Sequence, residues 1–165
     1  VTYISCIHNQ YGIGPIKLEQ EIQQHTFVDE FLKSILNIMV TADRLSHDTN
    51  AALKPFGISK EQFNVLRILK GQFPNPASLQ LISERMISKS SNATRLVEKL
   101  RQKEFIERTE CPSDRRQVDI ILTQKGIEFL DIVNPLVKAS SAKMRNLTNS
   151  ESAELNRLLE KMRVD

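Results

Sequence analysis

The sequence has few of the residues that mark disordered, fibrous, membrane-spanning or disulfide-bonded proteins. Its 165 residues include five glycines, six prolines and two cysteines, and no stretch approaches the ~20 apolar residues that a transmembrane helix needs. Residues 1–15 lack the basic-then-apolar order of a signal peptide. The two cysteines, Cys6 and Cys111, do not form a disulfide framework or a zinc-ligand pattern. We therefore expect a folded cytoplasmic protein with two reduced thiols and no membrane association.

The sequence also lacks the motifs of catalytic and metal sites. It contains no glycine-rich phosphate loop, no nucleophile elbow, and no carboxylate or histidine–cysteine group that its spacing would bring together. His8, His25 and His47 are not at ligand spacing, and Cys6 close to His8 is a pair rather than a site. We expect no catalytic residue, no metal and no cofactor.

Positive charge is concentrated in one segment. The chain carries 23 basic and 20 acidic residues, for a net charge of +3, and at this length one globular core is expected. Between Ser88 and Arg116 there are eight basic residues and five acidic ones, so the whole positive excess lies there. Such a local excess is typical of a surface that faces phosphates, and clustered charge on a solvated helix face is the alternative.

The region before residue 57 is predicted to contain a long amphipathic helix. Apolar residues recur at helical spacing from Leu18 to Leu53. Thr26 followed by Asp29 resembles a capping box that starts the longer of two helical pieces. A helix from Thr26 to Leu53 would be about 40 Å long, which is longer than a compact domain of this size. Its apolar stripe therefore predicts burial against a second copy of the chain.

Three shorter helices follow, each with a polar residue placed to cap it. Ser59 and Gln62 form a capping box for the first. Ser78 is placed to cap the second and Ser88 to cap the third, so the last two helices are joined by only a residue or two. Two short helices joined in this way, the second polar and basic on its outer face, match a helix-turn-helix whose second helix enters a DNA major groove.

The third of these helices carries the candidate DNA contacts. Its apolar stripe leaves polar and basic residues near its start outside the core, where they can reach base edges and phosphates. These candidates are Lys89, Ser90, Ser91, Asn92, Thr94 and Arg95. Asn92 suits an adenine edge and Arg95 a guanine edge, whereas Ser90 and Ser91 are also explained by simple helix capping.

A β-hairpin, or wing, is predicted after this helix. Val118, Ile120 and Leu122 alternate in a returning strand, and turn formers precede it. The predicted wing contacts to DNA phosphates or the minor groove are Asp114, Arg115 and Arg116. Because a lone carboxylate is repelled by DNA, we expect Asp114 to orient the Arg116 guanidinium through a charge-assisted hydrogen bond. A surface ion pair that stabilises the turn is the alternative.

The remaining sequence predicts two C-terminal helices. Thr123 is placed to cap the first, which Pro135 should kink. Thr148 and Glu151 form a capping box for the second. Much of the apolar surface of these helices has no evident partner within the chain, so we expect a dimer to bury it.

Two nearby segments resemble the multiple-antibiotic-resistance regulator (MarR) family of winged-helix transcription factors. They read SNATRLVEKLRQKEFIER from Ser91 to Arg108 and DRRQVDIILTQKG from Asp114 to Gly126, the second containing Asp-x-Arg and Leu-Thr-x-x-Gly. The resemblance extends from roughly Phe27 to the C-terminus. It implies a mainly α fold with a small β wing, a winged helix-turn-helix whose N- and C-terminal helices form a dimerisation platform. It also implies that Arg116 reaches the minor groove and that Asp114 orients it.

Four regions are expected. They are residues 1–15, an arm of unknown role; 16–57, N-terminal dimerisation helices; 58–122, the DNA-binding lobe; and 123–165, C-terminal dimerisation helices. Within the lobe the recognition helix spans about 88–103 and the wing about 105–122. The expected partners are a second copy of the chain and a pseudo-palindromic double-stranded DNA operator, because a two-fold dimer presents recognition helices about 34 Å apart. We expect a repressor of its own or a neighbouring promoter.

A small molecule is the expected signal that controls DNA binding. The resemblance implies release by a small aromatic or phenolic effector. Its crevice would be lined by Ile35, Met39, Phe56 and Phe63. A thiol-based redox sensor of the same fold is one alternative, although neither Cys6 nor Cys111 lies in the first helix, where the resemblance places a sensing cysteine. A winged helix that binds a protein instead of DNA is the other, and salt-sensitive duplex binding separates it from the DNA-binding interpretation.

Overall fold

The computed structural model describes residues 16–111, 114–140, 142 and 146–163, with the backbone alone for residues 110, 111 and 114–117. It divides into two compact units, Val1–Arg44 and Leu45–Asp165. The Leu53 side chain has no exposed surface and belongs to the core of the second unit. The predicted boundary at residue 57 stays a prediction.

The first unit contains α1 (Leu18–Glu21) and the first part of α2 (Glu30–Leu53). The Asp29 carboxylate accepts a hydrogen bond from the Leu32 amide at 2.7 Å, so Asp29 caps α2. The capping box predicted on Thr26 is wrong. A cap lies immediately before the first helical residue, and Thr26 comes too early in the chain for its hydroxyl to take that position.

The second unit contains α3 (Lys60–Gln72), α4 (Leu79–Arg85) and α5 (Ala93–Gln102), preceded by a 3-10 turn over Lys54–Phe56. The predicted caps of α3 and α4 are confirmed. Ser59 and Gln62 form the capping box of α3, and the Ser78 hydroxyl accepts from a backbone amide in the first turn of α4. Local hydrogen bonds of side chains to the backbone therefore define where both helices begin.

α5 begins later than predicted. The Asn92 carboxamide oxygen accepts a hydrogen bond from the Arg95 amide at 3.0 Å, which makes Asn92 the N-cap. Ser88, the predicted cap, lies in the preceding turn, where its carbonyl accepts from the amide three residues later at 3.3 Å. The connection between α4 and α5 is therefore Met86–Asn92 rather than a residue or two. The recognition helix is shorter at its start than the predicted span 88–103.

A three-stranded antiparallel sheet in the order β1–β3–β2 contains the wing. Its strands are β1 (Ala77–Ser78), β2 (Ile106–Cys111) and β3 (Asp114–Leu122). The predicted hairpin of β2 and β3 is confirmed, with Ile106 opposite Leu122 and Arg108 opposite Ile120. The sequence does not predict β1, because two residues carry no periodicity. This strand exists through its pairing with β3, in which Ala77 lies opposite Ile120.

The core of the second unit lies where α3, α4, α5, the sheet and α6 (Gln124–Ser140) meet. Apolar side chains at helical spacing on the helices contact the inward residues of the strands. Core side chains with no exposed surface are Leu53, Val65, Leu66, Ile82, Leu100, Leu130 and Val133. The buried polar residue Gln62 is satisfied, because its carboxamide oxygen accepts from the Ser59 amide at 3.0 Å.

Thr123 and Gly126 of the Leu-Thr-x-x-Gly motif join the start of α6 to the chain that follows α5. The Thr123 hydroxyl accepts from the Gly126 amide at 3.0 Å, as predicted for a cap, and donates to the Glu104 carbonyl at 2.7 Å. A Cβ on Gly126 would overlap the backbone oxygen of Phe105. The motif therefore requires a hydroxyl at its second position and a residue without a side chain at its last.

The two C-terminal helices present apolar surface to solvent. α6 continues across Pro135, and α7 (Asn149–Lys161) starts at the predicted capping box of Thr148 and Glu151. No residue of α7 is buried. The exposed apolar side chains on and near these helices are Ile132, Leu136, Leu147, Leu155, Leu158 and Met162. Such a surface agrees with the apolar face that the sequence leaves without a partner.

Candidate nucleic-acid interface

The outer face of α5 is polar and its inner face is apolar, as predicted. The buried residues of the helix are Ala93, Val97 and Leu100, which recur at helical spacing. Thr94 and Arg95 in its first turn are exposed. Burial of the apolar face therefore holds the hydroxyl of Thr94 and the guanidinium of Arg95 on the solvent side.

Three other predicted contacts lie in the turn before α5 instead of on the helix. Lys89 and Ser90 are exposed and Ser91 is half-buried. The Lys89 ammonium donates to the backbone carbonyl of Glu84 at the end of α4, and the Ser90 hydroxyl lies 3.3 Å from the Ser88 hydroxyl. The turn thus has its own hydrogen bonds and adds a cation and hydroxyl groups beside the start of the helix.

Asn92, and not Ser88 as predicted, caps α5. Its carboxamide oxygen is engaged by the Arg95 amide at 3.0 Å. An asparagine that reads adenine uses this oxygen to accept from the base and its amino group to donate to the base. The cap occupies one lone pair of the oxygen and leaves the amino group of Asn92 available.

The N-terminal end of α5 lies in a stretch of the chain without acidic residues. From Arg85 to Val97 there are three basic residues and no aspartate or glutamate. The amide groups of the first helical turn add partial positive charge. Among the described residues no acidic side chain pairs with Arg95. This end of the helix is therefore suited to a polyanion.

The C-terminal half of α5 is charged differently, because Glu98 pairs with two cations. Its carboxylate is 2.8 Å from the Arg101 guanidinium and 3.9 Å from that of Arg108 on β2. The hydrogen bond from Arg101 lowers the pKa of Glu98, with a further contribution from the charges of Arg101 and Arg108. These two arginines are partly neutralised within the protein, unlike Arg95.

A cavity of about 250 Å³ lies beside α5 at the base of the wing. Its lining includes Thr94 and Val97 of α5, Arg108 of β2 and Ile120 of β3, together with the start of α4. The sequence does not predict this cavity, because the elements that line it are far apart along the chain. It borders the face that carries the predicted DNA contacts.

The predicted wing contacts fall where the structure describes backbone alone. Asp114, Arg115 and Arg116 form the start of β3, and the register shifts between Glu110 and Cys111, where the hairpin approaches its tip. Their side chains lie outside the described residues. The predicted hydrogen bond between Asp114 and Arg116 therefore stays a prediction.

Comparison with known proteins identifies the family that shares these features. A sequence model of the MarR family matches residues 58–118. The HTH-type transcriptional regulator YkoM of Bacillus subtilis is 34% identical over 109 residues, which cover 66% of this chain and 70% of YkoM. The chain belongs to the MarR family. The transcriptional repressor MprA of Escherichia coli is 30% identical over 120 residues, covering 72% of this chain and 68% of MprA.

Membership of the MarR family gives the chain a class of function. It is a DNA-binding transcriptional regulator and not an enzyme. Solved MarR-family structures share its fold. A mutant of Escherichia coli MarR in complex with operator DNA matches with a TM-score of 0.69 at 24% identity, over 84% of this chain and 99% of that chain. CouR from Rhodococcus jostii, bound to p-coumaroyl-CoA, matches with a TM-score of 0.68 at 21% identity, over 77% of this chain and 89% of that chain.

The residues predicted to line an effector crevice belong to both units. Ile35 and Met39 lie on α2 in the first unit, where Ile35 is half-buried and Met39 is exposed. In the second unit Phe63 is buried in the core, and the rings of Phe56 and Phe129 pack edge to face with their centroids 5.7 Å apart. The crevice itself stays a prediction.

Within residues 16–111, 114–140, 142 and 146–163, no three histidine, cysteine, aspartate or glutamate side chains are grouped so that they could hold a metal ion. In the same residues no helix is both long enough and apolar enough to cross a membrane.

Proposed function

We propose that the protein is a homodimeric transcriptional repressor that binds a pseudo-palindromic operator through α5, the turn before it and the wing. The N-terminal end of α5 carries this proposal, since Thr94 and Arg95 are exposed there and no acidic residue lies from Arg85 to Val97. A duplex is a polyanion and is attracted to such a surface. Exposed hydroxyl, amide and guanidinium groups read base edges in the major groove. Escherichia coli MarR, which has the same fold, was solved on operator DNA.

Exposed apolar surface supports the dimer. On the first part of α2, Phe31 and Met39 are exposed, and on α7 Leu155 and Leu158 are exposed. Several exposed apolar side chains on one helix are typical of an interaction site, and a two-fold homodimer is the commonest assembly. Two recognition helices about 34 Å apart meet successive major grooves, so the half-sites should be spaced by about ten base pairs.

We further propose repression of the protein's own or a neighbouring promoter, relieved by a small aromatic or phenolic effector. MprA is named a transcriptional repressor, and CouR was solved with p-coumaroyl-CoA. The proposed effector crevice is lined by Ile35, Met39, Phe56 and Phe63. An effector that binds one arrangement of the dimer more tightly than the other shifts the spacing of the recognition helices and releases the operator. The proposed location is the cytoplasm, where the operator is.

Selection of bound duplexes from a random pool tests this proposal. The purified protein is expected to enrich a pseudo-palindrome, to lose affinity steeply as salt rises and to have twice the mass of one chain by light scattering. Repeating the selection with peroxide and with a panel of phenolic acids tests the signal. Release by a phenolic acid supports the effector, and release by peroxide alone replaces it with a thiol sensor. Absence of any enriched sequence, or a monomeric mass, contradicts the proposal.

The wing is tested separately by Arg116→Ala. This variant is expected to bind the selected operator more weakly and to remain dimeric, because it removes a cation from the hairpin and leaves the helices intact. Lys125→Ala is the matched control, since the Lys125 ammonium is paired with Glu104 at 2.6 Å. Equal affinities of Arg116→Ala and the unaltered protein in a gel-shift titration would remove the wing from the interface.

A further inference from the structure

Ile87 is an apolar side chain placed in water beside the recognition helix. It lies in the connection between α4 and α5 and is 87% exposed, whereas its neighbour Met86 is buried in the core. Burial of a branched apolar side chain is ordinarily favourable, and single exposed apolar residues are common on protein surfaces. What distinguishes Ile87 is its place in the chain, between the two helices of the helix-turn-helix and just before the polar start of α5.

The backbone around Ile87 is held in place. The Ile87 amide donates to the Asn64 carboxamide oxygen at 3.0 Å, and the Met86 amide donates to the Ile82 carbonyl at 3.0 Å. Asn64 is part of α3, whose buried residues belong to the core. The side chain of Ile87 is therefore presented from an anchored position rather than from a free loop.

The surroundings of Ile87 are cationic and polar. From Arg85 to Arg95 the chain contains three basic residues and no acidic one. Within this described stretch Ile87 is the exposed large apolar residue, because Met86 and Ala93 are both buried. A protein that binds through apolar surface needs an apolar patch, and this stretch presents one exposed large apolar side chain. A polyanion that offers one apolar group is the better match.

Double-stranded DNA offers such a group. In the major groove every base pair presents hydrogen-bond donors and acceptors, and thymine alone adds a C5-methyl group. We propose that Ile87 contacts the C5-methyl group of one thymine in each half-site of the operator and so determines the preference for thymine there. This inference rests on the proposed operator binding and names a specificity-determining residue outside the helix itself.

The experiment compares thymine with uracil, which lacks the methyl group and keeps the same hydrogen-bonding edge. Duplexes of the selected operator are made with each thymine of a half-site replaced in turn by deoxyuridine. The unaltered protein is expected to lose roughly fourfold in affinity at one position of each half-site, the effect of exposing one methyl group. Ile87→Ala should bind the two duplexes equally, and Ile87→Val should keep part of the difference. Ser88→Ala, in the same turn but outside the proposed DNA contacts, is the matched control and should keep the full ratio of the two affinities.

Thermal unfolding checks that Ile87→Ala folds, which is expected because the bond to Asn64 uses the backbone amide. Equal binding of thymine and uracil duplexes by the unaltered protein at every position overturns the inference and leaves operator binding standing. An undiminished ratio in Ile87→Ala also overturns it, because another side chain would then contact the methyl group. Failure to bind any duplex overturns both this inference and the proposed function.

Discussion

The two ends of α5 differ in how their charged and polar groups are satisfied. At the N-terminal end Arg95 is exposed, and no described acidic side chain pairs with it. At the C-terminal end Arg101 is 2.8 Å from Glu98, and the chain that follows is tied to α6 through the Thr123 hydroxyl. A cation that already has a carboxylate partner gains less from a phosphate than a free one does. The N-terminal end of α5 thus has a cation available to a ligand, whereas the cation at its C-terminal end is bonded within the protein.

The largest effect on stability is expected at Gly126, which packs against the backbone of the chain that follows the C-terminal end of α5. Gly126→Ala should lower the free energy of unfolding by about 2 to 3 kcal/mol, because the new Cβ must displace the Phe105 carbonyl. Urea denaturation measures it. Gly71→Ala in α3 is the matched control: a Cβ there meets nothing within 4 Å, so this change should raise stability by up to roughly 0.5 to 1 kcal/mol. Similar losses in both variants would show that Gly126 is not specially confined.

The N-terminal end of α5 is tested by Arg95→Ala. Operator binding should weaken by about 1 to 3 kcal/mol, with relaxed base preference at one position of each half-site. Arg101→Ala at the paired end is the matched control and should have a smaller effect, since its guanidinium is already bonded to Glu98. Fluorescence anisotropy on the operator and its single-base variants measures both. If Arg95→Ala lost the same affinity for every DNA sequence, Arg95 would contact phosphate and not a base. Equal losses of affinity in the two variants would show that the two ends of α5 do not differ in DNA binding.

The cap of α5 is tested by changes at Asn92. Asn92→Ala should lower the free energy of unfolding by about 1 kcal/mol, because the Arg95 amide loses its acceptor. Asn92→Asp keeps the cap and should keep stability, but its added negative charge should weaken DNA binding. Ser88→Ala should change stability by less than roughly 0.5 kcal/mol. Denaturation and anisotropy read the two properties separately. If Ser88→Ala were the more destabilising change, the helix would begin where the sequence predicts.

The smallest effect is expected in how stability depends on pH through Glu98, which pairs with Arg101 near the C-terminal end of α5. Because Arg101 and Arg108 lower the pKa of Glu98 in the folded protein, the stabilisation from this carboxylate is present above its usual pKa and is lost as pH falls through the lowered value. Glu98→Gln should therefore reduce the melting temperature slightly at neutral pH, and the difference from the unaltered protein should shrink below the usual glutamate pKa of 4.5. Melting curves in a pH series check it. A difference that grew on acidification would contradict the sign.

Features that depend on a few neighbouring residues were predicted from the sequence. The capping boxes at Ser59 and Thr148 and the alternation of Val118, Ile120 and Leu122 are examples, because both are determined within about four residues. The family was also identified correctly, because the motifs that carry the resemblance are short stretches of neighbouring residues. In this chain the Thr123 hydroxyl of Leu-Thr-x-x-Gly accepts from the Gly126 amide. The fold class and the polar outer face of α5 follow from the same local patterns.

Features that depend on distant parts of the chain were not predicted. Several serines precede Asn92, and any of them satisfies the local rule for a cap. The cap at Asn92 is found only in the folded chain, where Met86 is buried and the Ile87 amide donates to the Asn64 carboxamide oxygen in the turn before the helix. The strand β1 likewise needs its partner Ile120 on β3, and the cavity beside Thr94 needs β1, α4, α5, β2 and β3 to meet.

The amino-acid sequence by itself determined which segments are helical, which face of each helix is apolar, and that one stretch is rich in cations, because periodicity, capping and charge are properties of neighbouring residues. Only the tertiary structure decided where α5 starts, why Gly126 admits no side chain, and that Ile87 remains in water. Each of these outcomes depends on contacts between residues far apart in the chain, where packing and hydrogen bonding select one arrangement among several that local preferences allow equally.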